Sequence, residues 1–360
     1  MNSPSISVVM SVFNGEAFLS EAIESILNQT FRDYEFIMID DGSTDKTPQI
    51  LTEYASRDER IRLHRHENKG RATSLNVGIE LSRGPYLARM DADDIALPNR
   101  LKDQLEFMER HPEVGVLGGW FDLISTSGRL LKTIRFPSED SELRSLILVD
   151  NPICHPAVVM RKDIALASGG YRKVLLDADD YDLWLRISER SQLANLEKCV
   201  LRYRVHYHQV SIRNMRHQKM SVLAARVAAL QRRAGHPDPL SDIEEITPQF
   251  LSTFGVTEAE IQQSVLGGYH HWMGVLGQAD PQAALRVIEE FLELPDSRYV
   301  ERYMLADAWL RAAGIHCRQG RTAKALAAGG RAILAHPVVA GRAAKRALVR
   351  LTTFLRNRPE

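Results

Sequence analysis

The sequence predicts an α/β protein, a mostly parallel sheet flanked by helices, followed by an all-α C-terminal region. Up to about residue 210, short β-branched apolar runs alternate with stretches that repeat apolar residues at helical spacing. Beyond about residue 213 the strand-like runs stop, and Ala- and Leu-rich helical patterns remain. We therefore expect one domain at residues 1–212 and a helical region at residues 213–360.

The composition is that of an ordinary folded, soluble protein. The chain has 360 residues with 46 basic and 46 acidic side chains, so no net positive charge would attract nucleic acid. No stretch of about 18 or more apolar residues is free of charges, which argues against a membrane span. The N-terminal residues lack a basic lead and a cleavage site, and the three cysteines are far apart. We therefore expect a cytoplasmic protein with reduced thiols.

The elements of the first domain follow one another as strands and helices. Strands are predicted at residues 6–12, 36–39, 85–90, 157–160 and 196–203, and helices at residues 16–27, 47–55 and 71–81. Polar clusters follow the second and third of these strands directly. In parallel sheets ligands bind outside the carboxyl ends of the strands, so both clusters are predicted at the ligand-binding edge.

Two acidic clusters directly follow predicted strands. The first, residues 40–45, includes Asp41 before Gly42, and a carboxylate there can accept hydrogen bonds from a base or a ribose; the alternative is a turn rich in capping residues. The second contains Asp91, Ala92, Asp93 and Asp94. Its carboxylates could share one Mg²⁺ or Mn²⁺, which prefer oxygen ligands. The alternative is a solvated loop that caps the next helix.

A third cluster, at residues 177–182, opens a helical pattern. Acidic residues at a helix start are favoured by the helix dipole, but four in six positions exceed what capping needs. A carboxylate whose neighbour raises its pKa could serve as a general base toward an alcohol. The histidines at positions 155, 206 and 208 adjoin strands, where a lone His is more often structural than catalytic.

Together these segments resemble the family 2 glycosyltransferases, which have the Rossmann-like GT-A fold. The resemblance covers about residues 4–215 and is specific because many motifs occur in the family's order and spacing. They lie at residues 7–14, 39–45, 68–70, 76–78, 90–94, 154–157, 169–171, 179–186, 203–206 and 209–211. Residues 1–212 are thus expected to be a GT-A glycosyltransferase domain.

The resemblance implies inverting transfer of a hexosyl group from a nucleotide-diphosphate sugar to an acceptor hydroxyl. It makes Asp180 the general base, with Asp179 standing where the family commonly has Glu. Asp41 would contact the nucleotide base, Asp91 the ribose and metal, and Asp93 the Mn²⁺ or Mg²⁺ that bridges the diphosphate. The remaining residues it implies are Val12, Asn14, Arg71 and Ala92 for the donor, His206 for the metal or diphosphate, and Trp184 and His155 in support.

The partners follow from the same resemblance. UDP-sugars are the expected donors, with guanosine and thymidine forms open, and the acceptor is a glycan or lipid-linked molecule of bacterial surface polysaccharide or lipopolysaccharide synthesis. One alternative is a catalytically inactive nucleotide-sugar-binding adaptor whose helices bind a protein; the retention of all three acidic clusters disfavours it. Nucleotidyl transfer would need a Gly-rich basic phosphate loop, and the first turn, residues 13–16, is not one.

The C-terminal region has two further features. Residues 309–337 partly resemble one tetratricopeptide repeat, a helix–turn–helix unit. Residues 341–358 form a basic amphipathic pattern that either caps the helical region or lies on an anionic membrane surface. The second alternative would place the protein peripherally at the inner face of the membrane.

Overall fold

The computed structural model describes residues 3–207, 209, 214–294, 301–338 and 340–341. The chain divides into two compact units, Met1–Arg204 with Met220–Gly255 and Val205–Lys219 with Val256–Glu360. The predicted boundary at residue 212 falls inside the segment Val205–Lys219, which groups with the second unit. Among the described residues, no helix is both long and apolar enough to cross a membrane.

Nine strands of the described residues form one sheet, ordered β3-β2-β1-β4-β8-β6-β9-β5, with β7 paired to β6. The strands are β1 (Ile6–Val12), β2 (Tyr34–Asp40), β3 (Ile61–Arg65), β4 (Tyr86–Met90), β5 (Ile95–Ala96), β6 (Val114–Ile124), β7 (Leu130–Ile134), β8 (Val159–Arg161) and β9 (Gln192–Arg204). Strands β3, β2, β1 and β4 are parallel, as are β6 and β9, and the remaining pairs are antiparallel. The predicted α/β sheet is confirmed.

Helices flank this sheet. They are α1 (Leu19–Leu27), α2 (Thr47–Arg57), α3 (Arg71–Leu81), α4 (Arg100–Arg110), α5 (Asp140–Leu146), α6 (Lys162–Ala167) and α7 (Asp179–Ser188). The chain continues with α8 (Met215–Arg233), which begins in the segment Val205–Lys219, and α9 (Pro248–Ser252) of the first unit. Helix α3 spans the predicted residues, whereas α1 begins three residues after the predicted start at residue 16. On α1, Leu19, Ala22, Ile23 and Ile26 are buried at helical spacing and fix its packing face.

The strand predictions needed correction. Strands β3, β5, β6 and β7 were not predicted. For β3 the reason is that it is an edge strand in which Ile61 alone is buried, so its sequence carries little apolar signal. The strand predicted at residues 157–160 is shorter, because a 3₁₀ turn at His155–Ala157, with Pro156 inside it, precedes β8. Pro156 has no N–H to donate to a strand neighbour, so the chain turns there first.

The strand register aligns three loops at one edge of the sheet. Met10 of β1 lies opposite Met38 of β2 on one side and Met90 of β4 on the other. All three strands run parallel and are almost wholly buried. Their carboxyl ends therefore bring the loops at residues 13–18, 41–46 and 91–94 together.

The second unit is helical. It contains α10 (Glu258–Ala279), α11 (Pro281–Leu292), α12 (Arg302–Arg318) and α13 (Thr322–Ala335). A capping box between Thr257 and Glu260 begins α10, and the Asp280 side chain caps α11. The turn between α12 and α13 lies within the segment predicted to resemble a tetratricopeptide repeat, and that likeness stays a prediction. The basic pattern predicted at residues 341–358 lies, after residue 341, outside the described residues.

Candidate active site

Asp41 follows β2 and is held by backbone on both sides. Its N–H donates to the carbonyl oxygen of Val12 at 2.9 Å, and its Oδ1 accepts from the Lys69 N–H at 2.8 Å. Gly42 turns the chain at φ +77°, and a Cβ there would lie 2.6 Å from the Asn68 backbone nitrogen. Only glycine fits this turn, so the carboxylate of Asp41 is fixed at the sheet edge.

The loop after β1 is tied to the loop after β2 through Asn14. The Asn14 N–H donates to Ser43 Oγ at 3.0 Å, and its Oδ1 accepts from the Thr44 N–H at 2.8 Å. Asn14 adopts φ +52°, a left-handed conformation that Asn tolerates better than most residues. A Cβ on Gly15 would lie 2.7 Å from Val12 Cγ2 and 3.5 Å from Ala92 Cβ. Of the predicted donor residues, Val12 ends β1, and Asn14, Asp41 and Ala92 belong to the adjoining loops.

The loop after β4 gathers three carboxylates. Asp91, Asp93 and Asp94 each offer an oxygen, and these three atoms lie within 4.8 Å of one another. Burial and Asp93 raise the pKa of Asp91 against the opposing charge of Arg89. Burial, with Asp93 and Asp91, also raises the pKa of Asp94 well above its usual range. A compact all-oxygen set under mutual repulsion fits a hard divalent cation such as Mg²⁺ or Mn²⁺.

Two buried arginines, Arg89 and Arg204, donate hydrogen bonds to this acidic loop. Arg89 Nη2 donates to Asp91 Oδ1, although Arg89 itself is only 2% exposed. Arg204 Nε donates to the Asp93 carbonyl oxygen at 2.8 Å, and the Arg204 N–H donates to Asp94 Oδ1 at 2.8 Å. Asp94 is therefore tied to the end of β9 and serves the loop structurally. Sequence reasoning missed both arginines, although a charge within the apolar run of β4 was a usable signal for Arg89.

The third acidic cluster begins α7, and Arg71 at the start of α3 faces it. Arg71 Nη2 donates to Asp179 Oδ1, whereas Asp180 Oδ2 accepts from Asn151 Nδ2 at 3.2 Å. Burial lowers the pKa of Arg71, but Asp179, Asp180 and Asp91 outweigh it and raise that pKa. Arg71 therefore lies among carboxylates of both the second and the third cluster.

Asp180 has the altered acidity that proton transfer near neutral pH requires. Burial, followed by the charge of Asp179, raises the pKa of Asp180 to about 6, against the opposing effect of Arg71. A carboxyl group with such a pKa is mostly ionised at pH 7 yet is a stronger base than an ordinary aspartate. Sequence reasoning missed Asn151, the amide that binds Asp180, because it lies 29 residues earlier in a loop without regular structure.

His155 and Trp184 lie in the interior behind this cluster. His155 Nε2 and Tyr171 Oη are 3.0 Å apart, and the rings of His155 and Trp184 are 6.0 Å apart. Burial, together with Arg89 and Arg71, lowers the pKa of His155 well below its usual value, so the ring is neutral. Trp184 is fully buried. The supporting role that the resemblance implies for both residues stays a prediction.

His206 belongs to the segment Val205–Lys219, which groups with the second unit. Its N–H donates to Gln209 Oε1 at 3.0 Å. Its metal-binding role stays a prediction, and the competing His208 lies outside the described residues.

A cavity of about 730 Å³ opens elsewhere on the first unit. Glu113, just before β6, and Gln192, the first residue of β9, help to line it. It thus lies where β6 and β9 begin, and none of the carboxylates described above lines it.

Comparison with known proteins matches residues 7–167 to the family model Glycosyl transferase family 2. An uncharacterized glycosyltransferase of Methanocaldococcus jannaschii is 35% identical, over 57% of this chain and 72% of its own. The O-antigen biosynthesis glycosyltransferase WbnJ of Escherichia coli is 32% identical over 56% of this chain and 80% of its own. The amylovoran biosynthesis glycosyltransferase AmsE of Erwinia amylovora is 32% identical over 55% of this chain and 75% of its own.

Among solved structures, residues 1–349 of S. aureus TarS superpose with a TM-score of 0.53 and 19% identity, over 89% of each chain. This likeness shows a shared fold. The chain covers 72% or more of the length of the three sequence relatives named above, at 32–35% identity. Together with the match to the family model, this shows that the chain belongs to glycosyltransferase family 2.

Proposed function

We propose that this glycosyltransferase is metal-dependent and inverting, and that Asp180 is its general base toward the acceptor hydroxyl. The observation that carries the proposal is the acidity of Asp180. Burial and the charge of Asp179 raise the pKa of Asp180 to about 6. Arg71, which interacts with Asp180, also interacts with Asp91 of the second acidic cluster. The neighbouring Asp179 is engaged by Arg71. This leaves Asp180 as the carboxylate of the pair available for proton transfer.

The donor half of the proposal rests on the first two loops. Asp41, with Oδ1 engaged by Lys69, would accept hydrogen bonds from the nucleotide base through its other oxygen. Val12, Asn14 and Ala92 would line the same site. TarS, which shares the fold, was solved with UDP-GlcNAc and with UDP, which supports a UDP-sugar as the donor.

A cation would be held by the loop after β4. Asp93, with Asp91 beside the ribose, would ligate Mn²⁺ or Mg²⁺. When bound, such an ion neutralises negative charge on the diphosphate leaving group. The buried Arg89 donates a hydrogen bond to Oδ1 of Asp91, so Oδ2 is the oxygen of Asp91 that would face the ribose and the cation.

The proposed chemistry is a single displacement. A carboxylate oxygen of Asp180 takes the proton of the acceptor hydroxyl while that hydroxyl oxygen forms a bond to the anomeric carbon. The bond between the anomeric carbon and the diphosphate oxygen breaks, and the nucleoside diphosphate leaves with its electron pair. Attack opposite the leaving group inverts the anomeric configuration.

The biological setting is proposed from the relatives. WbnJ is named for O-antigen synthesis and AmsE for amylovoran synthesis, which supports a glycan or lipid-linked acceptor of a bacterial surface polysaccharide. Synthesis of that kind would place this chain in the cytoplasm, with the basic segment at residues 341–358 proposed for peripheral contact at the inner face of the membrane. Residues 1–212 remain the proposed GT-A catalytic domain and residues 213–360 the helical region.

A donor screen tests the proposal. The full chain is incubated with UDP-, GDP- and TDP-sugars, with and without Mn²⁺, and nucleoside diphosphate release is measured. We expect release from at least one donor, dependent on the cation and absent in Asp180→Asn. Donor binding without release by the wild-type chain, in the presence of candidate glycan acceptors, would favour the inactive adaptor, which the intact acidic clusters disfavour.

A further inference from the structure

Asn151 lies between α5 and the 3₁₀ turn at His155–Ala157, and its side chain is held at both ends. Its Oδ1 accepts from the Ile153 N–H at 3.2 Å, and its Nδ2 donates to Asp180 Oδ2 at 3.2 Å. Because the backbone N–H of Ile153 needs an acceptor, the amide is oriented with its NH₂ group toward Asp180. A flipped amide would place its NH₂ group against the Ile153 N–H and its oxygen against the Asp180 carboxylate, so both hydrogen bonds would be lost.

We infer that Asn151 is a positioning residue for the base. It fixes Oδ2 of the Asp180 carboxylate and leaves Oδ1 as the atom that takes the proton of the acceptor hydroxyl. The inference rests on the proposed function of Asp180 and adds to it which oxygen reacts. The two acidic neighbours then have separate partners, since Arg71 engages Asp179 and Asn151 engages Asp180.

The hydrogen bond also has an electrostatic consequence. The backbone N–H groups of Tyr181 and Asp180 and the charge of Arg71 counteract the burial that raises the pKa of Asp180. A donor to a carboxylate favours its ionised form, so we infer that the hydrogen bond from Asn151 acts in the same direction. The other titratable or charged groups that face Asp180 are Asp179, Arg71, Tyr171 and Cys154. Among them Arg71 is the cation, and its direct hydrogen bond goes to Asp179.

Two substitutions separate this role from a purely structural one. Asn151→Asp keeps the size of the side chain and the oxygen that accepts from Ile153, but it replaces the donor to Asp180 with a carboxylate oxygen. Asn151→Ala removes both contacts. A residue that only braced its loop would be replaced well by Asp, whereas a positioning residue would not.

The test is a carboxyl ¹³C titration of the full chain with labelled aspartate, in which Asp180 is identified by the resonance missing from Asp180→Asn. We expect the titration midpoint of Asp180 to rise in both variants, by about one pH unit in Asn151→Ala and by more in Asn151→Asp. Calorimetry should show unchanged donor affinity. The control is Asp150→Asn, at an exposed position next to Asn151. The substitution keeps the side-chain oxygen that accepts from the Asn151 N–H, so the titration midpoint of Asp180 in this variant should equal that of the wild type.

An Asp180 midpoint in Asn151→Asp equal to that of the wild type would overturn the inference, and the similar size of Asp keeps this test valid if Asn151→Ala does not fold. Because the titration reads Asp180 directly, it decides the inference with or without turnover. A wild-type chain that binds donors but transfers no sugar would instead overturn the proposed function.

Discussion

Arg71, the first residue of α3, donates a hydrogen bond to Asp179, the first residue of α7, across 108 positions of sequence. This contact joins the helix that follows β3 to the helix that carries the proposed base. It also neutralises one acid of the Asp179–Asp180 pair. Asp179 can therefore be buried beside the partly exposed Asp180, which is left in a state suited to proton transfer.

Asp180→Asn should abolish sugar transfer and spare donor binding. The amide keeps the shape of the side chain but cannot take a proton, and loss of a general base typically costs about 10²–10⁴-fold in turnover. Nucleoside diphosphate release and calorimetric donor titration, run on the same preparations, measure the two effects. Transfer by Asp180→Asn at the wild-type rate would remove the assignment, and Asp150→Asn is the control that should keep full activity.

The same substitution should stabilise the protein above about pH 4, with the full gain reached above about pH 6. The pKa of Asp180 in the folded chain, about 6, exceeds the ordinary value of 3.8, so its contribution to stability is present at low pH and is lost as pH rises through about 6. Asn carries no charge and avoids this loss. Because Asp180 is only partly buried, we expect a gain on the order of 1 kcal/mol at pH 8 and none near pH 3.5.

Urea denaturation of both proteins across this pH range measures the difference. An equal free energy of unfolding at pH 8 would show that Asp180 is not destabilised by its surroundings. A gap that instead widened toward low pH would contradict the raised pKa.

Asp93→Ala should lose cation-dependent donor affinity. Removing one of three clustered carboxylates takes away an oxygen ligand and lowers the local negative charge that would attract Mn²⁺. Calorimetry of a nucleoside diphosphate with and without Mn²⁺ measures the change. The control, Asp163→Ala, removes an exposed acid on α6 and should leave the cation effect intact. The same Mn²⁺-dependent gain in affinity in Asp93→Ala and wild type would exclude Asp93 as a ligand.

Gly42→Ala should destabilise the fold more than Gly128→Ala. Both glycines have positive φ, +77° and +79°, so both substitutions carry backbone strain of about 1 kcal/mol. A Cβ at position 128 meets no atom within 4 Å, whereas one at position 42 lies 2.6 Å from the Asn68 nitrogen. Only Gly42→Ala should also weaken nucleotide binding, because the loop would shift beside Asp41. Equal urea midpoints and equal nucleotide affinities for the two variants would refute this.

Local sequence signals were enough to predict much of the fold and the acidic loops. Apolar period and β-branching located β1, β2, β4 and α3, because each buries one face or both and its pattern repeats within a few residues. Strands β3, β5, β6 and β7 were not predicted. For β3 the reason is that an edge strand needs few buried side chains. The carboxylates of the three clusters were visible because acidic residues directly after buried strands, or crowded at a helix start, are unusual.

What the sequence alone determined was which carboxylates would stand at the ends of particular elements. Only the tertiary structure decided their partners: Arg89 beneath Asp91, Arg204 behind Asp93 and Asp94, Arg71 on Asp179 and Asn151 on Asp180. These pairs join residues of different elements or loops, apart from the neighbours Arg89 and Asp91. A periodic pattern records which face a residue buries, but not which distant side chain the packing brings to it.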